Sequence, residues 1–194
     1  MHAAAVAVAV GRGHRRPART AETECEPDRQ AWVCLRRVER CVRGRELLRV
    51  RGLCRAVGVG GSYSRASAFD SLADVIGHWH LRGYGRWMIA DRKTNEPLGV
   101  VGLMCPAGWP EPEIAWTVFE KAEGKGIAFE AACFARTYAY EVLGWQTLVS
   151  CVLPGNTRSA ALAKRMKATQ EEDFHHTDLG VLNVFRHLPP EDVT

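Results

Sequence analysis

Lys121-Ala122-Glu123-Gly124-Lys125-Gly126-Ile127-Ala128 is the stretch on which the reading of this chain turns. It stands between a strand-like alternation, residues 113–119, and a long helical pattern, residues 124–143. Two glycines there let the backbone turn tightly and approach a ligand with no Cβ in the way. The helix that follows leaves its first N–H groups unpaired, and these donors, with the positive end of the helix dipole, suit a pyrophosphate. Lys125 adds a point charge beside them. The stretch lacks the G-x-x-x-x-G-K-[ST] of a P-loop, and no early strand and acidic ribose ligand of a dinucleotide-binding unit surround it.

Residues 68–82 read as a helix capped by Ser64 or Ser67, with Phe69, Leu72, Ile76 and Trp79 on one face. Residues 86–91 and 97–104 read as an antiparallel hairpin turning at Thr94-Asn95. Ile114, Trp116 and Val118 alternate with Glu113, Ala115 and Thr117 in the next strand. After the central helix, Gly144 leads to a strand at residues 147–152, and strand, helix, strand makes a right-handed parallel βαβ unit. Pro154-Gly155-Asn156 opens a helix to about Lys167, and strands at residues 169–175 and 181–187 close the chain.

This order of elements resembles the GNAT superfamily of N-acetyltransferases, in the branch of the RimJ and RimL ribosomal-protein acetyltransferases. The residues that carry the resemblance are Gly124-x-Gly126 at the start of the central helix, matching [QR]-x-x-G-x-[GA], the Gly144-Trp145 turn, and Pro154-Gly155-Asn156-Thr157-Arg158-Ser159. It covers residues 60–188. The implied fold is α/β, a mixed and mainly antiparallel sheet with a splayed parallel pair, flanked by helices. The implied reaction is transfer of an acetyl group from acetyl-CoA to a primary amine: a protein N-terminus, a small-molecule amine or a polyamine.

The same resemblance implies site residues. Main-chain groups of Trp116, Thr117 and Val118 would pair with the pantetheine amides; Gly124, Lys125, Gly126, Ile127 and Ala128 would hold the pyrophosphate, and Asn156 would reach the cofactor from the next helix. Glu113 is the candidate general base, with Glu111 as the competing carboxylate, and Ser159 is placed to assist the leaving sulfur or to join a cap with Asn156. Tyr138 and Tyr140 are alternative acids, although Tyr138 falls on the helix's apolar stripe. His80, Trp87 and Trp109 are candidates for the acceptor entrance, while the spacings of His78/His80 and His175/His176 suit no shared metal. Three positions depart from the family: Lys121 replaces Gln or Arg, Lys167 stands in place of a helix-ending glycine, and no family-like first strand and helix are recognisable before Gly58.

Composition sets the wider frame. The net charge of +4 comes from the N-terminal segment, whose basic residues are all arginine, and the remainder is slightly acidic. That distribution argues against a nucleic-acid-binding core. Residues 1–57 are read as an atypical Arg/Cys-rich segment, disordered or a misassigned translation, ahead of an acetyltransferase domain at 58–194; a strand is expected within 46–51. The 7 cysteines form no CxxC pair, which speaks for a reducing, cytoplasmic compartment, no metal and no disulfide framework. No apolar run is long enough to span a membrane. A monomer or homodimer is expected. Two rival readings are a non-catalytic acyl-CoA-binding module and a nucleic-acid-binding protein that uses the Arg-rich segment.

Overall fold

In the computed structural model of the chain, which describes residues 33–37, 65–189 and 192, the first element is a strand, β1 (Val33–Arg37), and the second a helix, α1 (Arg65–Arg82). β1 falls inside the Arg/Cys-rich segment and pairs antiparallel with β2 (Arg86–Asp91), Leu35 opposite Ile89. The sequence reading missed it, because five residues with apolar side chains at Val33 and Leu35 give too short an alternation among arginines. The strand expected within 46–51 lies outside the described residues, as does the rest of residues 1–57.

β2 and β3 (Pro97–Met104) form the expected hairpin. Its turn is built by Asp91, whose Oδ1 accepts the N–H groups of Lys93 and Thr94, and by Asn95 in the left-handed region at φ 60°. β4 (Glu113–Val118) continues antiparallel to β3, with Val101 opposite Trp116. The central helix α2 (Ile127–Thr137) starts later than expected and passes into a π-helical turn at Tyr138–Val142. Gly124 and Gly126 stay in the loop because both are left-handed, φ 72° and 78°, so the α register begins at Ile127.

β5 (Val149–Val152) then runs parallel to β4, and α3 (Thr157–Arg165) follows. The strand expected at 169–175 is two short ones, β6 (Thr169–Gln170) and β7 (Phe174–His176), each pairing with a different part of β8 (Gly180–Arg186). Among the described residues the sheet runs β1-β2-β3-β4-β5-β8-β6, with β7 on β8. It is the expected mixed sheet, antiparallel apart from β4 and β5.

Alternation along the strands divides the core. Ile89, Val101, Leu103 and Ile114 lie with Ala131, Ala132 and Ala135 of α2, whose small side chains bring the helix close to the sheet. Met88 and Val100 pack on Val75 and Leu72 of α1. Phe69 was expected on that stripe but is 64% exposed. Val152, Ala163, Ala168 and Phe185 seat α3. Each large side chain buried in this way contributes about 1.5–3 kcal/mol. Among the described residues no helix is long and apolar enough to cross a membrane.

Candidate functional site

The parallel pair is joined at one place. Glu113 stands opposite Val149, and Val149 N–H donates to Pro112 O at 3.0 Å. Beyond that point β4 and β5 share no further register and diverge. A cleft of about 260 Å³ lies along β4 beyond that point. Its walls are Trp116, Thr117 and Val118 of β4, the Glu123–Gly124–Gly126 turn, the first residues of α2, and one face of α3.

Glu130 N–H makes the first helical bond, to Gly126 O at 3.1 Å, so the N–H groups of Ile127, Ala128 and Phe129 precede the helical ladder, and all three residues line the cleft. A Cβ at Gly124 or Gly126 would meet no protein atom within 4 Å. The demand for glycine therefore comes from the left-handed backbone, not from crowding by the chain itself.

From α3, Asn156 caps the helix by accepting Ser159 N–H on Oδ1 at 3.1 Å. The cap uses the main chain of Ser159, so it leaves the hydroxyl out of the bond. Both residues line the cleft, together with Arg158, Leu162 and Arg165. Of the nine cofactor residues expected, eight line the cleft; Lys125 is exposed at the turn and does not. Arg158 pairs with Glu123, and the Arg165 guanidinium lies 4.1 Å from the centre of the Phe129 ring. Sequence reading did not single out Arg165, although 158, 162 and 165 fall at i, i+4 and i+7 on one face, a spacing that would have found it.

The two carboxylates separate clearly. Glu111 accepts both terminal nitrogens of Arg186, at 2.7 and 2.8 Å, and the Thr147 hydroxyl. Those bonds hold its carboxyl down at about 2, so it is a fixed anion. Glu113 is 5% exposed, on the strand face opposite Ile114 and Trp116. Burial pushes its carboxyl up to about 7, against the lowering influence of Cys151 N–H on Oε1 (3.1 Å), the Trp109 indole N–H on Oε2, and the charge of Arg86. A carboxyl near 7 exchanges protons at neutral pH, as a general base must. Glu113 does not line the cleft; it stands at the mouth of the split, beside the single β4/β5 rung. The neighbouring Cys151 thiol is pushed up to about 12 by burial and then by Glu113 and Glu111, which leaves it protonated.

Other candidates take structural places. Tyr138 meets Trp87 edge to face, 5.0 Å between centroids, and Tyr140 donates its hydroxyl to His187 O. Trp87 is buried in the core, and His80 is exposed. His78 bonds Tyr84 O through Nδ1 and accepts Cys105 N–H on Nε2, tying α1 to the end of β3. Among the described residues no group of three or more potential ligands is arranged to hold a metal ion.

Comparison with known proteins adds a direct finding. Residues 45–169 match the family model of the acetyltransferase (GNAT) domain. The crystal structure of an acetyltransferase from Agrobacterium tumefaciens is 33% identical, over 80% of this chain and 90% of that one, with a TM-score of 0.69. A Vibrio cholerae protein described as a ribosomal-protein-serine acetyltransferase shares the fold at 17% identity, over 82% and 95% of the chains, with a TM-score of 0.65. So does a chimera of the spermidine N-acetyltransferase of Vibrio cholerae, at 17% identity over 81% and 96%, with a TM-score of 0.62.

Proposed function

This chain belongs to the GNAT acetyltransferase family, and from that premise we propose that it transfers an acetyl group from acetyl-CoA to a primary amine. The observation that carries the reading is the cleft itself: the residues of the three N–H groups preceding the ladder of α2 line it, and so does the part of β4 that makes no further ladder pair with β5 beyond Glu113. Such a cleft fits a long ligand with an anionic middle and an amide-bearing arm. The residues present fit acetyl-CoA by that chemistry. Ile127, Ala128 and Phe129 N–H, with the helix dipole, would meet the pyrophosphate, and the main chain of Trp116 to Val118 the pantetheine amides.

When bound, acetyl-CoA supplies an activated thioester carbonyl. Glu113 then takes the proton that the attacking amine must lose, its carboxyl near 7 being ionised in a large fraction of molecules at neutral pH. The Ser159 hydroxyl would give the departing sulfur a hydrogen bond, a role supported by its place in the cleft lining and its absence from the Asn156 cap bond. Orientation of the amine against the thioester accounts for much of the rate. Glu111 is set aside as a base, because Arg186 fixes its charge.

Within the family we favour the branch of the ribosomal-protein acetyltransferases, supported by the Asn156-x-x-Ser159 cap at the cleft. The free thiols of Cys105, Cys133 and Cys151 suit a reducing cytoplasm. Purified protein incubated with acetyl-CoA and panels of peptide N-termini and small amines tests the reading: release of free CoA together with an acetylated amine supports it. Binding of acetyl-CoA with no acetyl transfer to any amine would reduce the chain to a binding module.

A further inference from the structure

We propose that Ser150 is a positioning residue: backed by His187, its hydroxyl replaces the next rung of the β4/β5 ladder and so holds open the split that receives the cofactor's pantetheine arm. The proposal rests on the acetyl-CoA reading for what fills the split, and on the chain's own hydrogen bonds for how the split is kept.

In a parallel ladder, the residue opposite i donates its N–H to the carbonyl of i−1, and the N–H two residues further on donates to the carbonyl of i+1. With Glu113 opposite Val149, the first of these bonds is made, Val149 N–H to Pro112 O. The second would run from Cys151 N–H to Ile114 O. Side chains take both groups instead. Cys151 N–H goes to Glu113 Oε1 at 3.1 Å, and Ile114 O accepts the Ser150 hydroxyl at 2.8 Å. Neither backbone group is left unsatisfied in the interior, so the rung has no reason to close.

His187 fixes the hydroxyl. Ser150 and His187 are each 1% exposed, with Ser150 Oγ and His187 Nε2 2.9 Å apart. The single proton of Ser150 is spent on the Ile114 carbonyl, so toward the imidazole Oγ accepts, and Nε2 must carry the ring proton. Nδ1 is then a bare acceptor, in keeping with its having no partner. Burial, and then the charge of Arg136, hold the imidazole neutral by pushing it down to about 3. The residue is anchored on both sides of its backbone: its N–H donates to Leu148 O, and its carbonyl accepts the Tyr140 hydroxyl. Its ring stands edge to face with Trp116, which lines the cleft. A continuous path therefore leads from β8 through Ser150 to the edge of β4. Without the hydroxyl, Ile114 O needs a donor, and the nearest backbone donor in ladder geometry is Cys151 N–H. Making that bond draws β5 onto β4 and narrows the split.

The test combines Ser150→Ala with His187→Leu and His187→Gln, the last keeping an amide nitrogen that can donate to Ser150. Calorimetry should show acetyl-CoA binding to Ser150→Ala weakened about tenfold, with most of the kinetic effect in KM and little in kcat. His187→Leu should move in the same direction and His187→Gln should restore affinity. Wild-type affinity in Ser150→Ala and in His187→Leu, whatever happens to their thermal stability, would overturn the proposal. The split is also read without cofactor, by NMR coupling across the hydrogen bond of the Cys151 amide. Its partner should be the Glu113 carboxyl in the wild type and the Ile114 carbonyl in Ser150→Ala; an amide that keeps Glu113 in both overturns the proposal. If the wild type itself fails to bind acetyl-CoA, the cofactor reading falls, and the Cys151 amide still decides the role of Ser150.

Discussion

Trp109 donates its indole N–H to Oε2 of Glu113 while its ring meets His176 of β7 edge on, 5.1 Å between centroids. With Cys151 N–H on Oε1, both oxygens of the carboxyl are engaged and covered. An acceptor amine that gives its proton to Glu113 either displaces the indole or shares an oxygen with a donor already there, since each carboxylate oxygen accepts more than one hydrogen bond. Trp109→Phe keeps a ring against His176 and removes the donor. Because that donor favours the charged form, its loss raises the Glu113 carboxyl further. The acid limb of the kcat/KM profile should move to higher pH, and a profile identical to that of the wild type would detach Trp109 from the base.

Glu113→Gln should keep its affinity for acetyl-CoA and lose turnover by roughly a hundredfold, as removal of a general base does. The same variant carries a stability signature. The folded carboxyl, near 7, lies above its ordinary value of 4.5, so the folded state holds more protons than the unfolded between those pH values. Stability from this group is full below 4.5 and lost as pH rises through 7, by on the order of 3 kcal/mol. Thermal melts should therefore show wild-type Tm falling from pH 5 to 8, and that fall should be smaller in Glu113→Gln.

Glu111→Gln is expected to act with the opposite sign. The carboxyl of Glu111 is held at about 2 by Arg186, so its stabilisation is present above 4.5 and lost as pH falls toward 2. The variant should flatten the acid side of the stability profile and leave the activity limb near pH 7 in place. Movement of that limb would return Glu111 to consideration as the base.

Much of this was legible in the sequence, because local rules decided it. The glycine turn, the hairpin and the βαβ unit follow from periodicity and turn chemistry within a few residues. The choice between Glu111 and Glu113 was not legible, since it depends on Arg186, 75 positions away along the chain. The same holds for Ser150 and His187, ordinary residues on two strands until the missing rung brings them into register. β1 escaped notice because its pairing comes from β2, not from its own pattern.

Lys167 shows a local rule broken. It ends α3 at φ 65°, with Lys167 N–H on Lys164 O and Ala168 N–H on Ala163 O, the pattern of a helix terminus that favours glycine. The left-handed region costs a residue with a Cβ about 1–2 kcal/mol, part of which glycine gives back in the flexibility of the unfolded chain. Lys167→Gly should accordingly raise stability by about 0.5–1 kcal/mol in denaturant melts, with activity unchanged.

If the glycine turn before α2 holds the pyrophosphate of acetyl-CoA, calorimetric titration of acetyl-CoA into the wild type and Gly126→Val will separate the two proteins. A Cβ at that position meets no protein atom within 4 Å, but valine cannot settle at φ 78° and would stand where the ligand approaches. One site per chain is expected in the wild type, with binding lost or weakened at least about tenfold in a variant that still melts cooperatively. A folded Gly126→Val that binds acetyl-CoA as tightly as the wild type would contradict it.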